Sequence, residues 1–297
     1  MRVERVRGEV AAEQVRDLLH AAFAGQEALT PPSGALAESL DTIAADYATE
    51  GGVLLHDGDR LVGACRVRRL GAAWVIRRCA VSPDARLSGA GRVLVEEAQA
   101  WAADEGALRT HIGVRHALTG SRAFWERLGY RPLVDHGFWD ELVRPLPLVL
   151  HGPESTRGLG ERLAGELRAG DLVVLSGPLG AGKTALTQGI GAGLGVQGTV
   201  TSPTFVLARV HRGPLPLVHV DAYRLRDSGS RRLELDDLDL DASLPDSVTV
   251  VEWGEGLVEG LAEARLEVHL ERPGSDDLAE SRVVEVRPVG ARWSVFG

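Results

Sequence analysis

The chain has 297 residues, with 33 Lys+Arg against 42 Asp+Glu, a net charge of −9 and 44% hydrophobic residues. This is room for two ordinary globular domains. The acidic balance excludes a broad, sequence-independent grip on nucleic acid by the chain alone, which needs a surplus of cations on the phosphates, though not docking on RNA within a larger assembly. No run of about 18 apolar residues is present, which argues against a membrane-spanning helix. Cys65 and Cys79 are the only cysteines; they read as small buried residues, too few for a zinc site or a disulfide framework. The charged, alternating start Met1-Arg-Val-Glu-Arg-Val-Arg7 is not a secretory pattern, so the expectation is a cytoplasmic protein without a membrane partner.

Residues 1–8 alternate and predict a strand. Residues 11–24 predict a helix with Val15, Leu18, Leu19, Ala22 and Phe23 on one face. After the break at Thr30-Pro-Pro-Ser-Gly34, a second helix is expected from Ala35 to Tyr47. Val53-Leu-Leu-His56, the Asp57-Gly-Asp59 turn and Leu61 to Val67 form a hairpin signal. Trp74 to Val81 is a third strand. Pro83 to Arg92 opens a helix that buries Leu94, Ala98 and Trp101 and ends near Gly106. A strand over Leu108–Val114, a helix over Ser121–Leu128 and strands at Tyr130–Leu133 and Phe138–Val143 complete this half.

This element order, with Arg86-x-x-Gly89-x-Gly91 between a strand and a helix, resembles the GNAT family of acyl-CoA N-acyltransferases over about residues 1–146. Ala123-Phe-Trp-Glu-Arg-Leu-Gly-Tyr130 is similar to that family's F-Y-x-x-x-G-F/Y signature. The resemblance implies a mixed α+β sheet domain that binds acetyl-CoA through Val81, Arg86, Gly89, Ala90, Gly91 and Arg92, with backbone N–H groups of Gly89, Gly91 and Arg92 at a helix N-terminus holding the pyrophosphate. The chain departs from the pattern in two places. Trp125 stands where the family often has a tyrosine acid, and indole has no usable proton. Arg77 and Arg78 occupy the central strand, where a glutamate base is often found. Glu126, His111 and His116 are alternative bases on type alone, and a degenerate docking module is the alternative to an active transferase.

Arg144-Pro-Leu-Pro147 is a proline-bearing connector, so the predicted domains are 1–147 and 148–297. In the second, Leu148–Leu150 reads as a strand and Ser155–Ala169 as a helix ending at Gly170. Leu172-Val-Val-Leu175 then leads into Gly177-Pro-Leu-Gly-Ala-Gly-Lys183-Thr184, followed by a helical pattern of Leu186, Ile190 and Leu194. Strand, glycine loop and helix are the context in which G-x-x-x-x-G-K-[ST] cradles phosphates. The backbone from Gly177 through Leu179, Gly180, Ala181 and Gly182 would wrap the phosphates. Lys183 would reach the β/γ-phosphates, and the Thr184 hydroxyl would bind Mg²⁺. Lys183 is the sole lysine; the other 32 basic residues are arginine. A compact ammonium fits the centre of such a loop, whereas a planar guanidinium does not.

Beyond the loop, Ser202-Pro-Thr204-Phe205 lies where a small NTPase keeps a switch, its hydroxyls able to sense γ-phosphate or metal. Leu215–Asp221 and Val248–Glu252 are apolar strands that each end in an acid. In a doubly wound sheet the ligand lies beyond such strand ends, which makes Asp221 and Glu252 candidate metal ligands and catalytic groups. The stretch Glu234 to Asp246 is strongly acidic and reads as a solvated face. Strands over Leu266–Leu270 and Val283–Val286 follow, the latter stopped by Pro288.

These motifs together, Gly-x-Leu-Gly-Ala-Gly-Lys-Thr, Ser-Pro-Thr-Phe, His-x-Asp-x-Tyr-Arg-Leu and Val-Glu-Trp, resemble the TsaE family from about residue 150 to 270. The resemblance implies a P-loop NTPase-like α/β domain that hydrolyses ATP with Mg²⁺. It also implies support for synthesis of N6-threonylcarbamoyladenosine next to the tRNA anticodon, with TsaD and TsaB proteins as partners and tRNA met through that complex. Trp253 then lies near the nucleotide, Thr156 is a nucleotide-side contact, and Arg224 is a candidate for phosphate, RNA or partner. Ala185 replaces a second threonine common in the family. The alternatives that share the phosphate loop are a small-molecule kinase and a non-hydrolysing nucleotide-binding module.

Overall fold

The structure is a computed structural model and describes residues 1–24, 29–203, 206–227, 238–273 and 280–296. The chain divides into two compact units, Met1–Leu146 with Val295–Gly297, and Pro147–Ser294.

The first unit is a seven-stranded sheet of order β1-β2-β3-β4-β5-β7-β6. Its strands are β1 (Arg2–Val6), β2 (Gly52–Asp57), β3 (Arg60–Leu70), β4 (Ala73–Val81), β5 (Arg109–Arg115), β6 (Arg131–Asp135) and β7 (Trp139–Pro145). Strand alternation sorts its side chains into two cores. Val53 and Leu55 of β2 face one way, onto Leu94, Val95 and Ala98 of α3 (Ala90–Asp104). Leu54 faces the other way, onto Val15, Leu18 and Leu19 of α1 (Ala12–Phe23) and Ile43 and Tyr47 of α2 (Leu40–Thr49). The neighbours β4 and β5 run parallel and pair only over Ala73–Val75 and Arg109–His111, after which they separate. Helix α4 (Thr119–Arg127) follows β5.

The second predicted helix starts five residues late. Residues Gly34–Ala37 form one 3-10 turn, Glu38 is extended (ψ 132°), and α2 begins behind Ser39, whose hydroxyl accepts the Thr42 N–H at 3.1 Å. Upstream, Ser33 caps only the 3-10 turn, its hydroxyl accepting the Ala35 N–H at 3.4 Å, and Ser39 caps the helix. The extended Glu38 is held by Arg66 and Arg78, an ion-pair contact that a helical turn there would have to accommodate.

The second unit has the order β10-β11-β12-β9-β13-β14-β8. It comprises β8 (Leu148–His151), α5 (Gly152–Ala164), β9 (Leu172–Ser176), α6 (Lys183–Gly193), β10 (Ala208–His211), β11 (Leu217–Asp221), β12 (Val248–Glu252), β13 (Arg265–Glu271) and β14 (Ser281–Val289). β11, β12, β9 and β13 are parallel neighbours, the others antiparallel. β9, β11 and β12 are nearly all buried, as expected for strands covered on both faces, whereas β13 alternates buried Leu266, Val268 and Leu270 with polar residues. Helices α5 and α6 pack backbone to backbone: a Cβ on Gly189 would stand 2.0 Å from the Arg157 carbonyl oxygen. Helix α5 stops at Gly165, five residues before the expected Gly170, which instead takes a left-handed turn (φ +90°) leading to β9. β14 runs through Pro288 rather than stopping there. β8 pairs only with Ser281–Val284, so Pro288 lies where β14 has become an edge and needs no donor on that side.

Candidate functional site

The loop after β9 is shaped by one very close crossing. Gly177 has φ +129°, and a Cβ there would lie 2.0 Å from the Leu270 carbonyl oxygen on β13. No other residue type fits. The loop closes with Gly182 in the left-handed region (φ +106°) as N-cap of α6, so Lys183 and Thr184 form the helix's first turn. The N-terminal end of α6 thus opens at the C-terminal ends of β9, β11 and β12, where its dipole favours an anion.

A cleft of about 380 Å³ lies there, lined by Leu179, Gly180, Gly182, Lys183, Thr184, Ala185, Ser202, Asp221, Tyr223, Glu252 and Trp253. Asp221 and Glu252 are direct register partners at the ends of β11 and β12, and both are buried. Each is oriented by named donors. Ser202 Oγ donates to Asp221 Oδ2 at 2.6 Å, and the Tyr223 N–H to Oδ1 at 3.1 Å. Thr184 Oγ1 donates to Glu252 Oε2 at 3.1 Å, and His219 Nε2 lies 2.9 Å from Oε1. Lys183 Nζ donates to the carbonyls of Gly177 (2.8 Å) and Pro178 (3.0 Å) and sits 3.5 Å from the centroid of the Trp253 ring. Trp253 takes φ +64°, strained for a bulky residue, and its ring also contacts Tyr223 at 5.2 Å. The Thr184 hydroxyl and two carboxylates form the hard oxygen set that magnesium takes, so the residues present fit that ion.

The structure therefore brings Lys183, Thr184, Ser202, Asp221, Glu252 and Trp253 to one cleft, with Leu179, Gly180 and Gly182 on its wall. Ala181 is buried beneath the loop, its N–H bonded to Pro178 O at 3.2 Å. Thr156 does not line the cleft: its hydroxyl donates to Gly152 O within α5, and its methyl lies behind Gly182, 3.5 Å from where a Cβ would be. Arg224 is exposed. Thr204, and Glu234 to Asp237 of the acidic stretch, lie outside the described residues. His219 opens the His-x-Asp-x-Tyr-Arg-Leu motif but carries no role in the sequence reading; its place two residues before Asp221, on the same face of a strand, is the signal that points to one.

In the first unit, Gly89 caps α3 with φ +86°. Gly91 packs against Phe124 and Val81, where a Cβ would meet Phe124 Cζ at 3.3 Å and Val81 Cγ2 at 3.7 Å. This puts Val81, Gly89, Ala90 and Gly91 at one helix N-terminus. Two expected contributions differ. The Arg92 N–H is engaged with Gly89 O at 3.0 Å, as the first turn of a helix allows. The Arg86 side chain donates to Ala22 O at 2.8 Å, and that of Arg92 pairs with Glu96. What the loop presents is backbone rather than charge.

Trp125 is buried edge-on to Phe124 and Tyr130. Tyr130 is buried, hydrogen-bonded to Thr110 and Gln99, and burial pushes its phenol up to about 12. Arg77 pairs with Asp46 and Glu50, and Arg78 with Glu38. The three alternative bases are all partnered: Glu126 with Arg122, His116 with Asp140, and His111 with the fully buried Glu141 at 2.7 Å. Cys65 and Cys79 are free thiols; burial raises both, Cys79 to about 12.

Comparison with known proteins places this geometry. Residues 150–282 match the family model "Threonylcarbamoyl adenosine biosynthesis protein TsaE", and residues 13–130 that of the "Acetyltransferase (GNAT) family". A Streptomyces coelicolor protein named tRNA threonylcarbamoyladenosine biosynthesis protein TsaE is 63% identical over 142 residues, 46% of this chain and 93% of the relative. Relatives of the same name from Mycobacterium tuberculosis and Bacillus subtilis are 58% and 37% identical, with 92% and 86% of their lengths covered. Among solved structures, Bacillus subtilis YdiB aligns over 50% of this chain and 88% of its own, at 31% identity and TM-score 0.40. An N-acetyltransferase from Thermoplasma acidophilum in complex with coenzyme A aligns over 49% of this chain and all of its own, at 12% identity and TM-score 0.45. The chain belongs to the TsaE family through its second unit, to which a GNAT-family domain is fused at the N-terminal side.

Proposed function

We propose that the second unit is a Mg²⁺-dependent ATPase that supports synthesis of N6-threonylcarbamoyladenosine in tRNA, with TsaD and TsaB proteins as partners. The observation that carries this reading is the pairing of Asp221 and Glu252 across a cleft that also holds Lys183 and Thr184. The name borne by the relatives supplies the pathway.

In this mechanism the loop N–H groups and the α6 N-terminus bind the triphosphate, and the Lys183 ammonium moves from the Gly177 and Pro178 carbonyls onto the β/γ-phosphates. Thr184 and Asp221 would hold magnesium, which would supply charge neutralisation on the phosphate oxygens. Glu252, fixed by Thr184 and His219, orients the attacking water and takes its proton. The water oxygen bonds to the γ-phosphorus as the bond to the β–γ bridging oxygen breaks, giving ADP and inorganic phosphate. Ser202 holds Asp221 and so links the segment before β10 to the metal side of the site.

Among the described residues the cleft wall beyond the loop and α6 is Ser202, Asp221, Tyr223, Glu252 and Trp253. Phosphate release from ATP that depends on both partner proteins supports this reading; phosphorylation of a small metabolite by the chain alone contradicts it. The first unit is read as an acetyl-CoA-binding domain that uses the α3 N-terminus. The buried Trp125 offers no acid for turnover, so a docking or sensing role stands as the second reading of this unit. Among the described residues no helix is long and apolar enough to cross a membrane.

A further inference from the structure

Two arginines remote in sequence hold the phosphate loop from its outer side. Arg272 follows the last residue of β13, and Arg282 is the second residue of β14. These strands pair antiparallel, with Glu271 opposite Val283, so both guanidiniums stand at the end of β13 where Leu270 crosses Gly177. Arg272 Nη2 donates to Gly180 O at 2.9 Å. Arg282 Nε donates to Ala181 O at 3.1 Å, its Nη2 reaches Gly180 O at 3.4 Å, and its Nη1 donates to Ser281 O at 2.7 Å.

Three features distinguish this from an ordinary surface ion pair. The acceptors are two consecutive carbonyls of the loop's tightest segment, Gly180 and Ala181. A trans peptide points its N–H opposite its C=O, so fixing the Ala181 carbonyl outward aims the Gly182 N–H toward the cleft, and the guanidinium polarises that peptide further. The acceptors are also neutral backbone groups, so toward the loop each arginine acts as a hydrogen-bond donor. Finally, the two cations repel: burial first, and Arg272 second, hold the Arg282 guanidinium below its ordinary value.

We propose that Arg272 and Arg282 are positioning residues of the nucleotide site, whose hydrogen bonds to the Gly180 and Ala181 carbonyls pre-set the loop's N–H groups and so set the affinity for the triphosphate. This rests on the ATPase reading above. Neither residue touches the reacting atoms, so binding should change and the chemical step should not.

The test is direct binding of MgATP and MgADP to the full chain by titration calorimetry, for wild type, Arg272→Gln, Arg282→Gln, the double variant and Arg282→Lys. Partner-dependent turnover and thermal unfolding are measured alongside. The expected result is a five- to twentyfold weaker Kd for each Gln variant and a larger loss for the double variant. KM should rise in parallel while kcat stays within twofold, and Arg282→Lys, which keeps the charge but not the fork, should recover part of the affinity. A purely structural role would lower the unfolding temperature and leave Kd unchanged, which overturns the proposal; so does a fall in kcat with unchanged KM. Should Arg282→Gln fail to fold, the exposed Arg272 carries the test alone. Failure of the wild type to bind MgATP would instead refute the ATPase reading, which separates the two outcomes.

Discussion

Replacing His219 by leucine removes the donor that fixes Glu252 and changes little else in shape. His219 is fully buried, its Nε2 is 2.9 Å from Glu252 Oε1, and Glu252 is itself 3% exposed. Water therefore cannot easily replace the lost partner. A buried hydrogen bond to a charged group contributes about 1.5–3 kcal/mol. If that energy is what holds Glu252 in place for the attacking water, its loss slows hydrolysis roughly 12- to 140-fold, at about 1.4 kcal/mol per factor of ten. The expected pattern is specific. Single-turnover phosphate release with both partner proteins falls by that factor in His219→Leu, while MgATP Kd stays within about threefold, because Lys183 and the loop are untouched. His219→Gln, which can place an N–H near the former Nε2, recovers most of the rate. Hydrolysis at the wild-type rate in His219→Leu would refute the assignment of Glu252 as the group that orients water.

Two further outcomes follow from close approaches. Gly177→Ala places a methyl 2.0 Å from Leu270 O at a φ of +129°. We expect a destabilisation of roughly 2–4 kcal/mol with loss of MgATP binding; an unchanged thermal midpoint with normal binding would contradict the crossing as described. Gly91→Val pushes against Phe124 and Val81 at the N-terminus of α3. Calorimetry should show acetyl-CoA binding by the wild type and a loss of at least tenfold in this variant, whereas no wild-type binding at millimolar ligand removes the acetyl-CoA reading of the first unit.

The parts of the site that were legible in the sequence are those set by local chain geometry. A glycine loop between an apolar strand and a helix, and acids at the ends of two apolar strands, follow from spacing alone, and Asp221 and Glu252 do stand side by side. What could not be read are contacts across strands and between distant segments. His219 meets Glu252 only because β11 and β12 are neighbours, and the Lys183 ammonium lies over Trp253 because that residue turns left-handed at a strand end. Arg272 and Arg282 reach a loop about 90 to 100 positions earlier in the chain. Thr156 shows the opposite case: the residue type suits a phosphate contact, but α5 turns its hydroxyl onto its own backbone. The boundary differences at Ser39, Gly165 and Pro288 arise where a cap, an early turn or an edge position outweighed periodicity.

The most direct test of the central claim is phosphate release from MgATP by the full chain alone, with TsaB, with TsaD and with both, each compared with Glu252→Gln. The site described predicts slow release alone, a rise of at least tenfold when both partners are present, and abolition of that rise in Glu252→Gln despite retained MgATP binding. Equal release with and without partners, or hydrolysis that survives Glu252→Gln, would contradict it.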